Sequence, residues 1–134
     1  MSSPCVVLLI LLVISTTSQS KEIPSNILEH WKQVILPYRE QCVTETHIDP
    51  DTLISALKEF HLPEEEEIHC FWKCILEHKS FFTNGKIDVN RVVQGVPFVS
   101  AELTTTCVVK TNREEGQCRR AHAFLQCVIR NTLQ

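Results

Sequence analysis

Cys70-Phe71-Trp72-Lys73-Cys74 sets two cysteines four residues apart, one turn of an α-helix, so both thiols leave the same face. The neighbouring residues carry the matching stripe: Ile68, Phe71, Trp72, Ile75 and Leu76 recur at three- and four-residue steps. Two adjacent sulfurs pointing the same way each reach more naturally to a separate partner elsewhere in the chain. The stretch therefore reads as a spine helix to which two other segments are stapled.

The number of staples depends on where the mature chain begins. Residues 6–14 are an unbroken run of Val, Leu and Ile, followed by a small polar stretch ending Ser18-Gln19-Ser20. That run is shorter than the roughly 20 residues of a membrane span. Small residues at Ser18 and Ser20 suit a secretory signal cleaved before Lys21. The expected organisation is a signal peptide at 1–20 and one helical domain at 21–134. Cys5 leaves with the signal, and Cys42, Cys70, Cys74, Cys107, Cys118 and Cys127 remain. An even count in a small secreted chain reads as three disulfides. All 13 basic and 16 acidic residues follow residue 20, so the net charge of -3 belongs to the mature chain. Such a balance offers no footprint for nucleic acid or for an acidic membrane surface.

The rest of the chain reads as further helices. Ser25 is a candidate cap for a helix spaced by Ile27, Leu28, Trp31, Val34, Ile35, Tyr38 and Cys42, with Pro37 expected to kink or split it. Asp49-Pro50 starts a short helix carrying Leu53, Leu57 and Phe60. Pro63 then breaks the chain, and the four glutamates at 64–67 suit the positive end of the spine helix. Asn84-Gly85 signals a turn, and Asp88 can cap a short helix with Val89, Val92 and Val93. Another helix runs from about Ser100 through Leu103, Cys107 and Val108, weakened by Thr104, Thr105 and Thr106. The last begins near Gly116, with Cys118, Ala121, His122, Leu125, Val128 and Ile129 as its stripe. No alternating strand pattern or internal repeat appears. The class is all-α, with about six helices.

Catalytic and metal readings find little support. Cys70, Cys74 and His78 fall at successive four-residue steps, a spacing at which thiolates can ligate zinc. An oxidising compartment and an even cysteine count favour disulfides instead. No His-Asp pair for calcium-assisted hydrolysis and no Gly-x-Ser-x-Gly elbow occurs. The chain is not expected to be an enzyme, nor to need a cofactor or a metal.

The cysteine gaps are 27, three, 32, ten and eight residues. This pattern resembles the insect odorant-binding protein family (pheromone and general odorant-binding proteins), most specifically in its gaps of three and eight. Asn84-Gly85-Lys86-Ile87-Asp88 also resembles the turn that family uses after its third helix. Spacing alone leaves fifteen pairings open. The resemblance implies one interlocked set, Cys42–Cys74, Cys70–Cys118 and Cys107–Cys127, with the helices around an apolar cavity.

It further implies a secreted carrier of odorants or pheromones, moving them through aqueous fluid to sensory receptors. A carrier in haemolymph, saliva or reproductive fluid is the alternative, and a helical scaffold or inhibitor without a cavity is another. The partner is then one small hydrophobic molecule. An olfactory receptor and a second copy of the chain are further candidates, with no nucleic acid and no stable membrane insertion.

The candidate wall residues are Trp31, Ile35, Leu53, Leu57, Trp72, Ile75, Phe81, Val92, Phe98, Leu103, Phe124, Leu125 and Val128. Periodicity alone does not separate a cavity wall from ordinary core packing. His122 joins them on two alternative readings, a satisfied structural histidine or a group that meets the ligand and helps release it on acidification. Protonation of the histidines near helix ends or apolar faces, His47, His61, His69, His78 and His122, is expected to loosen the pocket so that affinity falls between pH 7 and pH 5, with His122 the leading candidate. Only seven residues follow Cys127, too few to form an extra helix inside the cavity.

Overall fold

The computed structural model describes residues 23–49, 51–52 and 65–132. Among these are five helices and one two-stranded ribbon. The helix expected after Asp49-Pro50 lies mostly outside the described residues, Leu53, Leu57 and Phe60 with it. Residues 51 and 52 are helical, and the Asp51 N–H donates to Asp49 Oδ1 at 3.0 Å.

Helix α1, Ser25–Thr46, buries Leu28, Trp31, Ile35 and Cys42, one apolar stripe along 22 residues. Ser25 stands one position inside the helix, behind Pro24, and no side chain caps this end. The serine cap expected from the sequence is therefore not made. Nor does Pro37 split the helix, which runs through it. Pro37 is exposed, so water can satisfy the carbonyl one turn back that its missing N–H leaves unpaired. The helix ends at His47, left-handed at φ 59°, with its N–H on the Val43 carbonyl.

Helix α2, Glu66–His78, is the spine. Seven of its 13 residues are buried, because it packs against α1 on one side and against the last helix on the other. Glu66 and Glu67 occupy its first turn, where carboxylates complement the helix dipole. It closes in a Schellman turn: Ser80 is left-handed at φ 61°, the Phe81 N–H donates to Leu76 O, and the Ser80 N–H to Glu77 O. The reversal folds Phe81 back toward the core, where it is buried.

Strands β1, Phe82–Thr83, and β2, Lys86–Ile87, pair antiparallel, Phe82 opposite Ile87 and Thr83 opposite Lys86. Asn84 and Gly85 between them both have positive φ, 53° and 77°, as a tight hairpin turn requires. Helix α3, Val89–Gly95, is capped by Asp88, whose Oδ1 accepts from the Arg91 N–H. Helix α4, Ala101–Thr111, is capped by Ser100 through the Leu103 N–H. Its buried Thr104 donates to the Ser100 carbonyl at 2.7 Å, so the hydroxyl enters the core satisfied. Gly116, at φ 83°, turns the chain into α5, Gln117–Thr132. There Arg120 donates to Gly85 O at 2.9 Å and to Glu114 O at 3.1 Å, tying the ribbon to α5.

Disulfides fasten this arrangement. Cys42–Cys74 joins α1 to α2, Cys70–Cys118 joins α2 to α5, and Cys107–Cys127 joins α4 to α5. The two cysteines of the spine, one turn apart, reach different helices. The fold is all-α and locked by three bridges.

Candidate ligand-binding site

The inner faces of α1, α2, α3 and α5 do not close completely on one another. Between them lies a cavity of about 60 Å³ whose surface is entirely apolar. Helix α1 contributes Trp31, Val34 and Ile35, and α2 contributes Trp72, Ile75 and Leu76. Phe81 enters from the Schellman turn, Val92 from α3, and Val96 and Val99 from the segment between α3 and α4. Helix α5 supplies Phe124, Leu125, Val128 and Ile129. Each helix presents this face because its apolar residues recur at helical spacing.

Nine of the fourteen sequence candidates share this wall: Trp31, Ile35, Trp72, Ile75, Phe81, Val92, Phe124, Leu125 and Val128. Leu53 and Leu57 lie outside the described residues. Phe98 does not belong to the wall. Its backbone is left-handed at φ 66°, which turns the side chain outward, 52% exposed and edge-on to His30 at 5.4 Å. Leu103 packs against the core from α4 without reaching the cavity. His122 is buried, but its ring sits 4.2 Å from that of His69 on α2, outside the cavity wall. In this conformation His122 does not line the cavity.

The sequence reading left five wall residues out. Leu76 and Ile129 stand on the stripes already recognised, and Val34 neighbours Ile35, so periodicity carried a signal for all three. Val96 and Val99 lie between helices, where no period operates.

Two tryptophans face the cavity in different states. The Trp31 N–H donates to the Pro97 carbonyl at 2.9 Å, which ties α1 to residues 96–99. The Trp72 N–H is buried and has no hydrogen-bond partner among the described residues.

The tempting metal triad dissolves here. Cys70 is bound to Cys118, and His78 stacks on Tyr38 at 5.1 Å. Cys42, Cys74 and His78 do converge within 4.8 Å, but the two sulfurs are bonded to each other and offer no thiolate.

Gly95 is what lets α3 approach so closely. A Cβ there would fall 2.7 Å from Phe81 Cζ and 2.8 Å from Cε1. Gly95→Ala is expected to drive that ring into the cavity it borders. The predicted result is a loss of about 1–3 kcal/mol in stability together with weaker uptake of apolar dyes. Urea unfolding and dye titration of the variant check both, and a variant unchanged in either would mean that Phe81 yields elsewhere.

The sequence profile of the PBP/GOBP family matches residues 25–131, from the start of α1 almost to the end of α5. The chain belongs to the PBP/GOBP family. This is the family of odorant-binding proteins, and the fold agrees with it. The crystal structure of odorant binding protein 4 from the natural predator Chrysopa pallens superposes with a TM-score of 0.55 at 20% identity, covering 81% of this chain and 91% of that one. No curated protein sequence matches the chain. No helix among the described residues is long and apolar enough to cross a membrane.

Proposed function

We propose that this PBP/GOBP chain is a secreted carrier that reversibly takes up one small hydrophobic molecule in the cavity between α1, α2, α3 and α5. The observation that carries the reading is the wholly apolar wall enclosed by a disulfide-fixed frame. Binding rests on removing apolar ligand surface from water at about 25 cal/mol per Å², with no bond made or broken. The mature chain starts at Lys21 after loss of the signal peptide. Its role is to move odorants or pheromones through aqueous fluid to sensory receptors, and a carrier in another body fluid uses the same site.

One observation favours the compact-scaffold alternative. A cavity of about 60 Å³ is smaller than the roughly 150 Å³ that holds benzene in an engineered core. A carrier must therefore widen this cavity, through its wall side chains or its backbone, whereas a scaffold would not.

Titration of the secreted protein with a naphthylamine dye separates the two. The carrier is expected to bind one dye per chain, with Trp31 and Trp72 emission changing on uptake and small aldehydes and esters displacing the dye. Absence of any saturable dye uptake at neutral pH would leave the scaffold reading standing.

A further inference from the structure

Buried polar groups in folded proteins are nearly always hydrogen-bonded, so an exception calls for an explanation. Trp72 is such an exception, 2% exposed with its Nε1 unpartnered. The contrast lies within the same wall, where the other indole, Trp31, is satisfied by the Pro97 carbonyl. Phe71, edge-to-face with Trp72 at 5.0 Å, offers only a ring edge or π face, a much weaker acceptor than oxygen. Trp72 is held by the spine between Cys70 and Cys74, both bridged to other helices, so its backbone has little freedom to carry the ring to water.

We infer that the Trp72 N–H is kept for the ligand, so that the cavity selects apolar molecules bearing an oxygen acceptor over hydrocarbons of the same shape. The inference rests on the carrier reading above. Trp72 already lines the cavity, while no polar atom of the described residues reaches its surface. For this selection to operate, the widening that admits a molecule of benzene's size or larger must also uncover this nitrogen, which the closed cavity keeps buried. A ketone, aldehyde, ester or alcohol then gains a hydrogen bond in a water-poor site, whereas a hydrocarbon leaves the donor as it was.

Acetophenone and α-methylstyrene are a suitable pair, nearly equal in shape and differing by a carbonyl oxygen in place of a methylene. Their affinities are measured on the disulfide-bonded protein, on Trp72→Phe, and on a chain with benzothienylalanine at position 72. The last keeps the bicyclic shape and removes only the N–H. Both replacements should weaken acetophenone about three- to tenfold and leave α-methylstyrene within about twofold. Equal changes for the two probes, or none for either, would overturn the assignment while the carrier reading survives. If the unaltered protein takes up neither probe, the carrier reading fails first and the assignment fails with it.

Discussion

Replacing Cys70 and Cys118 together by alanine is expected to lower the unfolding free energy by about 4 kcal/mol. The bridge spans 48 residues, the widest loop of the three, and loop-closure entropy in the unfolded chain grows with loop length. The same reasoning gives slightly less for Cys42–Cys74, which spans 32 residues, and least for Cys107–Cys127, which spans 20. A domain of this size has roughly 5–15 kcal/mol in total, so one lost bridge leaves a folded but fragile protein. Urea unfolding followed by far-UV circular dichroism measures the difference. A loss below about 1 kcal/mol would show that packing between α2 and α5 already fixes their positions without covalent help.

Phe124→Ala is expected to lose about 3–5 kcal/mol, as large aromatic truncations in cores do. Phe124 is 2% exposed and already borders empty space, so its neighbours have little to collapse upon. The wider cavity should then take apolar molecules more readily. A bound dye at a hundred times its dissociation constant would restore about 2.7 kcal/mol by linkage. Val109→Ala, at a site 70% exposed on α4, is the control and should change stability by no more than about 0.5 kcal/mol. Urea curves with and without dye test both halves, and a Phe124→Ala protein that the dye does not stabilise would contradict the role given to the cavity.

The elements that could be read from the sequence are those governed by a period or by a local polar signal. The spine stripe, the Asp88 cap, the helix start near Ser100 and the helix start near Gly116 all depend on residues close to one another in sequence. The Asn84-Gly85 turn was legible, but strands of two residues are too short to show alternation. The Schellman turn was not legible, because Ser80 holds a position where glycine would have been the usual sign. Pro37 left two outcomes open, a kink or a split, and the continuous helix excludes only the split. At the cavity, helical faces were foreseeable, whereas Val96 and Val99 lie between helices where no period operates, and the outward Phe98 follows from its left-handed backbone. His122 matched an apolar stripe, yet the stripe is wider than the cavity, and its edge meets His69.

Covalent ties are spread unevenly over the helices around the cavity. Helices α1, α2, α4 and α5 each carry at least one bridged cysteine, and α3 carries none. No disulfide holds Val92, Val96 and Val99; packing and hydrogen bonds do, among them Trp31 N–H to the Pro97 carbonyl and Asp88 N–H to the Phe81 carbonyl. Proteins open locally with free energies that range from almost nothing up to that of global unfolding, and weakly tied segments lie at the low end. Local opening of residues 89–99 is expected to cost less than opening of the bridged frame, because no disulfide has to be carried with it. The rate at which a guest molecule comes and goes would then be set by this one short stretch. Overall durability would be set by the bridges, leaving the two properties free to be tuned separately.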